Sequence, residues 1–337
     1  MSDNIPMATE GFFMVINFKK LNLLVLSVIV CFCFSSCSEK KASSTEFALN
    51  TVINITAYGD KADEALSAAF KEVKRIENLL SCHIDTSEIS MINKTAHIAP
   101  VEVSQETADV LSKAIDVSKK TSGAFDISVK PLVDLWDIKA ESPRIPTDEE
   151  IENALSVVGY ENIVIEGSMV SLKKEGMQID LGGAAKGYCT DMVIKKLKEY
   201  GIKNALIDLG GNIYALGKNE QDGKWKIGLQ DPSGERGKHF SVEEISDKTA
   251  VTSGSYERYF EKDGKIYHHI IDTKTGRPSD SGLISVTVIS KNSFEADMLS
   301  TAIFVMGAEE FEKIKGEFGL EKYITVDKYN NKRTYEK

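Results

Sequence analysis

The segment 178–188 reads QIDLGGAAKGY and predicts a strand, a tight turn and a helix in succession. An apolar run ends in Asp180, two glycines follow, and Lys186 stands at the start of an amphipathic stretch. Glycines between a strand and a helix let the backbone approach a ligand closely, because no Cβ is in the way. The spacing matches neither the dinucleotide-binding fingerprint nor the P-loop, and a Gly-Gly turn alone is also an ordinary connection.

Apolar periodicity on either side of this segment predicts helices early in the chain and strands late. Helices are expected at 66–80, 105–120, after a capping box of Thr147 and Glu150, after the Gly-Gly turn, and at 293–305 and 308–317. Strands are expected at 47–58, 163–165, 169–172, 177–181, 205–209, 224–230, 250–253, 265–272, 284–290 and 323–326. This distribution favours an α+β fold with a largely antiparallel sheet in one continuous domain.

The first residues have the pattern of a bacterial lipoprotein signal. Lys19 and Lys20 precede an apolar run at 21–34, which is too short for a spanning helix, and small residues then precede Cys37. We therefore expect a signal peptide with a lipobox at 1–36, lipidation of Cys37, a tether at 37–46, the main domain at 47–330 and a tail at 331–337. An uncleaved N-terminal anchor is the alternative. Either way, the body is expected in the bacterial cell envelope, on the periplasmic side of a membrane.

Composition narrows the function classes. Apolar residues make up 42% of the chain, which is ordinary for a globular protein, and the net charge of −10 argues against a nucleic-acid partner. Outside the signal and the lipobox, Cys82 and Cys189 are the remaining cysteines. They could form a disulfide in an oxidising compartment, although nothing in the sequence shows that they meet. Without a CxxC motif or a His/Cys cluster, a zinc site is not expected.

Several polar residues have spacing that suits chemistry, each with a structural alternative. Asp297 and Thr301 are four residues apart on a predicted helix, so they share a face and offer hard oxygen ligands suited to Mg²⁺. The alternative is a buried aspartate that accepts a hydrogen bond from threonine. His269 has the side chain of a general base, although a lone histidine at a strand end is often structural. Asp126 could simply cap a turn or a helix, and the segment 272–277 could be a plain turn.

Together, these segments form an ordered set. The chain contains, in this order, GAFDISVKPLVDLW, IDLGGAAKGYCTD, LIDLGGNIYALG, TSGSYERYF, HHIIDTKTGRP and ADMLSTAIFVMG. The set resembles the ApbE family, the FAD:protein FMN transferases, over residues 47–326. The resemblance implies that FAD is cut at its diphosphate, that FMN passes to a threonine hydroxyl of an acceptor flavoprotein as a phosphodiester, and that AMP leaves.

The resemblance also implies roles for individual residues. Mg²⁺ would be held by Asp297, Thr301 and the carbonyl of Gly183, and His269 would be the base, with Asp272 close by. Lys186 would help to neutralise the phosphates. The implied flavin contacts are Leu49, His83, Ala124, Phe125, Asp126, Asp180 and Lys186.

Two of these positions depart from the family pattern. Leu49-Asn50-Thr51 stands where Met-Gly-Thr is usual, and His83 stands where tyrosine is common in the loop expected to stack on the flavin. Asparagine tolerates a positive φ better than most residues, so the turn is compatible with Asn50. The departures bear on affinity and on the placement of the flavin ring more than on the chemistry.

The resemblance leaves the acceptor open. It suggests subunits of the sodium-translocating NADH:quinone reductase or of Rnf-type complexes, or another flavoprotein with a threonine motif. Two other functions remain as alternatives: an FAD-binding carrier lipoprotein and an FAD pyrophosphatase. The presence of Asp297, Thr301, Lys186 and His269 favours transfer over storage, because storage needs neither a metal pair nor a base.

Overall fold

The computed structural model describes residues 40–221, 223–235 and 237–337. The predicted signal segment, its lipobox and Cys37 lie outside the described residues. Lys40–Lys337 forms one compact unit. No helix in the described part of the chain is both long enough and apolar enough to cross a bilayer.

The helices of the described residues lie mainly in the first two thirds of the chain. They are α1 Ala62–Leu80, α2 Glu88–Thr95, α3 Gln105–Lys120, α4 Lys130–Trp136, α5 Asp148–Leu155, α6 Ala185–Glu199, α7 Ser293–Met306 and α8 Ala308–Ile314. Short 3-10 helices occur at Ile127–Val129, Tyr160–Asn162 and Lys315–Glu317. The predicted capping box forms at α5, where Thr147 and Glu150 exchange hydrogen bonds.

The strands form one large sheet and several small ones. They are β1 Lys41–Ala48, β2 Thr51–Tyr58, β3 Val101–Glu102, β4 Ile163–Glu166, β5 Met169–Leu172, β6 Asn204–Leu209, β7 Asn212–Leu216, β8 Trp225–Gln230, β9 His239–Ile245, β10 Lys248–Gly254, β11 Tyr259–Lys262, β12 Lys265–His268, β13 Ile271–Asp272, β14 Arg277–Pro278, β15 Leu283–Ser290, β16 Lys322–Asp327 and β17 Lys332–Glu336. The large sheet has the order β1-β2-β6-β7-β10-β15-β16-β17, and its paired neighbours are antiparallel. The predicted α+β class with a largely antiparallel sheet is confirmed.

Alternate strand residues bury opposite faces of the large sheet. On one face, Tyr214 and Val251 join the main core with α1, α6 and α7, and the predicted face of α1 is buried there. On the other face, Ala215 and Ala250 pack with Trp225 under the β8–β9 hairpin. The helical layer carries Lys186 on α6 and Asp297 and Thr301 on α7, so these candidate site residues lie on regular elements packed on the sheet.

The structure differs from the predicted domain boundaries at both ends. Residues 41–46 belong to β1, which pairs with β2 along its whole length, so they are not a tether. Residues 332–336 form β17 at the opposite sheet edge, so they are not a tail. Both segments are polar because each is an edge strand with one face in solvent, and composition alone does not separate such a strand from a linker.

Two predicted strands are also wrong. Residues 177–181 alternate in burial but pair with no strand of the described chain, because the backbone of Ile179 is bound by the Asn93 side chain instead. The segment 265–272 is divided into β12 and β13, with His269 and Ile270 between them. Because of this break, His269 lies in the connection between two strands rather than inside one strand.

Candidate active site

The Gly-Gly turn is held from behind by two sets of hydrogen bonds. The Asn93 side chain donates to the carbonyl of Ile179 at 2.8 Å and accepts the N–H of Ile179 at 2.6 Å. The N–H of Asp180 donates to the carbonyl of Ile127 at 2.8 Å, and its carboxylate accepts the N–H of Gly182 at 2.7 Å. These bonds fix the backbone immediately before α6 begins.

Close contact between α6 and α7 brings the turn to the late acidic motif. A Cβ added to Gly187 would lie 2.3 Å from the carbonyl oxygen of Ser293 and 2.7 Å from the Cβ of Asp297. Glycine is therefore required for this approach. The N–H of Gly187 donates to Asp297 Oδ2 at 2.8 Å rather than to the carbonyl of Gly183 four residues earlier.

The start of α7 is held by two polar side chains. Asn292 caps the helix by accepting the N–H of Glu295 at 2.7 Å, and the two oxygens of Asp191 accept the N–H groups of Ser293 and Phe294 at 3.1 and 3.0 Å. Burial raises the pKa of Asp191 to about 6, and the nearby charge of Asp297 adds to this shift. Asp191 thus positions the helix that carries the predicted metal ligands.

Asp297 and Thr301 lie beside the Gly-Gly turn, as the family resemblance implies. Asp297 is 3% exposed, and the Nζ atom of Lys186 lies 3.6 Å from its Oδ1 atom and 3.3 Å from the carbonyl of Gly182. A Cβ on Gly183 would lie 3.4 Å from the Thr301 hydroxyl. The structure therefore brings together Lys186, Gly183, Asp297 and Thr301.

The chemistry of this group fits a magnesium ion. Its oxygens come from a buried carboxylate, a hydroxyl and a carbonyl without its helical N–H partner, and hard oxygen atoms are the ligands that Mg²⁺ prefers. The hydroxyl of Ser253 lies 3.4 Å from that of Thr301 and adds a further oxygen to the group. Among the described residues, no cluster of three or more His, Cys, Asp or Glu side chains suits a metal ion.

His269 lies between β12 and β13 and is bound by the backbone of Arg258. The N–H of His269 donates to the carbonyl of Arg258 at 3.1 Å, and its Nδ1 atom lies 3.2 Å from the same oxygen. A carbonyl only accepts, so Nδ1 carries the proton and Nε2 keeps its lone pair. Burial lowers the pKa of His269 to about 3, and the charges of Arg258 and Lys186 contribute. The imidazole is therefore neutral, as a base requires.

Asp272 is engaged in a turn rather than with His269. Its carboxylate accepts the N–H of Lys274 at 2.9 Å, and its carbonyl accepts the N–H of Gly276 at 2.8 Å. The partner of the His269 ring is the Arg258 carbonyl. Asp272 is three residues after His269 in the sequence. Its carboxylate, however, stabilises the turn through the N–H of Lys274.

The predicted flavin contacts of the first motif are buried next to the turn. Ala124 and Phe125 are 5% and 4% exposed, and a ring carbon of Phe125 lies 3.3 Å from the position of a Cβ on Gly183. Asp126 accepts hydrogen bonds from the N–H and hydroxyl of Ser128 and from the N–H of Tyr160. Its carboxylate therefore organises this loop, and burial raises its pKa.

The two positions that depart from the family pattern lie in turns. Leu49 and Asn50 both have positive φ, 50° and 59°, in the two-residue turn between β1 and β2. This is the backbone of a type I′ hairpin turn, and the N–H of Leu49 donates to Glu77 at 2.7 Å. His83 is exposed in the connection between α1 and α2, where its N–H donates to the Ser81 hydroxyl at 3.1 Å.

Cys82 and Cys189 are free thiols, so the disulfide that the sequence allowed does not form. Cys189 is fully buried, and burial raises its pKa. Burial also raises the pKa of Cys82 to about 12, and the charge of Asp180 contributes. Neither thiol is therefore activated as a nucleophile.

Sequence reasoning missed the side chains that hold the site in place. Asn93 and Asp191 carry no motif signal that points to the residues they bind, because both contacts are distant in the chain. Ser253 and Arg258 fall in the segment TSGSYERYF, which sequence comparison singled out without giving either residue a role. The signal that points to these two residues in the sequence is their position in this motif.

Comparison with known proteins is consistent with this geometry. The model of the ApbE family matches residues 49–324, which is most of the chain. The chain belongs to the ApbE family. A curated ApbE-type relative from Treponema pallidum, named FAD:protein FMN transferase, is 32% identical over 87% of this chain and 88% of its own length. A protein of the same name from Klebsiella pneumoniae is 38% identical over 74% of this chain and 78% of its own.

The fold agrees with a solved ApbE structure. The crystal structure of the ApbE protein from Thermotoga maritima superposes with a TM-score of 0.80 at 33% identity, and the match covers 87% of this chain and 96% of that chain. With this family membership and these relatives, the present ApbE chain is a transferase enzyme.

Proposed function

We propose that this protein transfers FMN from FAD to a threonine hydroxyl of an acceptor flavoprotein and releases AMP, in a reaction that depends on Mg²⁺. The names of its ApbE relatives support flavin transfer. The observation that carries the proposal is the arrangement of Asp297, Thr301 and Lys186 around one glycine turn, with a neutral His269 nearby. A metal-type oxygen group, a cation and a base are the parts that phosphoryl transfer needs.

The reaction balances as a displacement at phosphorus. The acceptor hydroxyl gives its proton to Nε2 of His269 as its oxygen forms a bond to the phosphorus on the riboflavin side of FAD. The bond from that phosphorus to the bridging oxygen breaks, and its electron pair remains on the bridging oxygen, which leaves as part of AMP. The product is a phosphodiester that joins the threonine to riboflavin. General base catalysis of this kind typically contributes about 100- to 10,000-fold.

The charge on the phosphates is neutralised by the group around the turn. A magnesium ion held by Asp297, Thr301 and the Gly183 carbonyl would supply positive charge to the phosphate oxygens. Lys186 places its ammonium 3.6 Å from Asp297 and adds a cation that belongs to the chain itself. The two glycines allow the backbone to come close to the diphosphate. Ala124, Phe125, Asp126 and Asp180 border the same turn and are proposed to bind the flavin part, with Leu49 and His83 at the periphery.

A transfer experiment with a matched variant tests the proposal. The protein is incubated with FAD, Mg²⁺ and a threonine-motif acceptor, and the acceptor is analysed by intact mass spectrometry. We expect a mass gain of one FMN that disappears with EDTA and with Asp297→Ala, whereas Asp60→Ala, in the exposed connection between β2 and α1, leaves it unchanged. No gain with any acceptor, while FAD copurifies intact, would instead favour the carrier function.

We further propose that the protein acts from the cell envelope, anchored through a lipid on Cys37. The support is the signal-like sequence before Cys37, and the acceptors suggested by the family, subunits of sodium-translocating NADH:quinone reductase or Rnf-type complexes, are membrane proteins. We expect the protein to partition into detergent and the Cys37→Ser variant to lack the lipid mass. Equal partitioning of the two proteins into the aqueous phase would contradict the anchor.

A further inference from the structure

Arg258 is a half-buried cation without an acidic partner. Its terminal nitrogen lies 3.5 Å from the carbonyl oxygen of Asn50, which is a long contact, and no carboxylate within the described ranges forms an ion pair with it. By contrast, Arg75, Arg144 and Arg277 each pair with a carboxylate. A guanidinium has five N–H donors. A half-buried guanidinium that uses so few of them is suited to bind an anion.

The position of Arg258 identifies which anion fits. Its carbonyl holds both the N–H and the ring of His269, so its side chain leaves the backbone directly beside the base. The contact with Asn50 places the guanidinium at the β1–β2 turn, next to Leu49. The charge of Lys186, at the glycine turn, also lowers the pKa of His269. Two cations, Arg258 and Lys186, therefore act on His269.

A base between two cations can gain a proton only at a high electrostatic cost. Protonation of His269 during the reaction would place three positive charges close together, and like charges disfavour the protonated form. A diphosphate bound between Arg258 and Lys186 would offset these charges and make the imidazole a stronger base when the substrate is present.

We propose that the guanidinium of Arg258 binds non-bridging oxygens of the FAD diphosphate beside His269 and stabilises the charge that develops there as the bridging P–O bond breaks. This inference rests on the proposed function. It assigns to the chain a second phosphate-binding cation, in addition to Lys186, that is independent of the metal group. Because arginine presents a planar fork of donors, lysine replaces it only in part.

Binding and kinetics of Arg258 variants test the inference in the full-length protein. The variants are Arg258→Gln and Arg258→Lys, and Arg333→Gln on the exposed strand β17 is the matched control. All of them keep the backbone carbonyl that holds His269. Flavin fluorescence gives the affinities for FAD and for riboflavin, which lacks the diphosphate, and AMP release gives kcat and KM.

We expect Arg258→Gln to weaken FAD binding, to leave riboflavin binding unchanged and to lower kcat by about 100-fold, the typical effect of removing one such donor. Arg258→Lys should recover part of the loss, and Arg333→Gln should behave as the unmodified protein. Unchanged FAD affinity and kcat in Arg258→Gln would overturn the inference. So would equal losses of FAD and riboflavin binding, since the change would then have damaged the pocket as a whole.

The two affinities also separate this inference from the proposed function. If the unmodified protein transfers no FMN to any acceptor, the proposed transfer fails. The difference between FAD and riboflavin binding in Arg258→Gln still decides whether Arg258 contacts the diphosphate.

Discussion

At the scale of single residues, the central feature is the neutral state of His269. The carbonyl of Arg258 fixes its tautomer, while burial and the cations Arg258 and Lys186 lower its pKa to about 3, with a further contribution from His268. The same surroundings therefore orient the imidazole and keep it unprotonated. Apart from His268, the residues that produce these two effects are not adjacent to His269 in the sequence.

The low pKa of His269 predicts a pH dependence of kcat/KM that differs from that of an enzyme with an ordinary histidine. An ordinary histidine takes up a proton near pH 6.5, so an enzyme that relies on it loses kcat/KM below that pH. We expect kcat/KM for FAD to stay level between about pH 6.5 and pH 8, because it reports the free enzyme, in which His269 is neutral throughout. Initial rates of AMP release across this range test the prediction. An acid-side decline with a pKa near 6.5 would contradict it.

The same shift has a consequence for stability. The unfolded chain protonates His269 near pH 6.5, whereas the folded chain does so near pH 3. Between these values the unfolded state binds more protons, so this contribution to the free energy of unfolding is present above pH 6.5 and is lost as the pH falls toward 3. We expect His269→Gln to reduce the fall in stability on acidification, as measured by urea unfolding at about pH 5 and pH 7. An identical pH dependence in the two proteins would argue against the shift.

The identity of the site residues could be predicted from sequence more readily than their partners. Asp297, Thr301, Gly183 and Lys186 lie together as the family resemblance implies, although helical spacing alone predicts only that Asp297 and Thr301 share a face. The contacts of Asn93 with Ile179, and of Arg258 with His269, could not be predicted. They depend on how separate elements meet, and no local pattern in the sequence encodes that.

At the scale of elements, the site depends on the distance between α6 and α7. Gly187 faces the Ser293 carbonyl and the Cβ of Asp297, so no side chain fits between the helices at this point. The same residue gives its N–H to Asp297. Helix packing and the orientation of the Asp297 carboxylate are thus one feature of the structure.

A single methyl group added at Gly187 should therefore disturb both the packing of α6 against α7 and the orientation of the Asp297 carboxylate. In Gly187→Ala the new Cβ would lie 2.3 Å from a backbone oxygen, so α6 and α7 must separate. We expect the free energy of unfolding to fall by about 3 kcal/mol, at the upper end for overpacking, and FMN transfer to be lost. Urea unfolding measures the first effect. Gly316→Ala is the control, because a Cβ there meets nothing within 4 Å. Equal stability of the two variants would refute the packing argument.

A periodic pattern of apolar side chains predicts an element well when only one kind of backbone structure produces that pattern. Helix α3 at Gln105–Lys120 and strand β5 at Met169–Leu172 have the predicted bounds. The segment 177–181 also alternates, but its backbone hydrogen bonds go to a side chain and a loop rather than to a strand. Burial produces the alternation in both cases, and the sequence does not show which group takes the backbone bonds.

At the scale of the whole molecule, the large sheet is completed by polar edge strands at both ends of the described chain. Strand β1 pairs with β2 over eight residues and β17 pairs with β16 over five. The hairpin turn of β1 and β2 also reaches the site through the contact of Asn50 with Arg258. The N-terminal strand therefore connects the sheet edge to the active site.

Removal of β1 should lower the melting temperature and weaken FAD binding. A chain that begins at Phe47, the domain boundary predicted from sequence, lacks most of β1, whereas a chain that begins at Lys40 retains it. We expect the shorter chain to melt lower by about 5 °C or more and to bind FAD more weakly, because β2 becomes an unpaired edge. Calorimetry and flavin fluorescence measure the two effects. Equal melting temperatures would show that residues 41–46 act as a tether after all.

The central claim is that the diphosphate of FAD is broken by an acceptor hydroxyl. The most direct test measures AMP and FMN-modified acceptor in the same reaction, with and without the acceptor protein. We predict that AMP forms only with the acceptor present, in equal amount to the FMN adduct, and that both products vanish with Asp297→Ala. AMP released at the same rate without an acceptor, and without any adduct, would contradict the claim and identify the protein as an FAD pyrophosphatase.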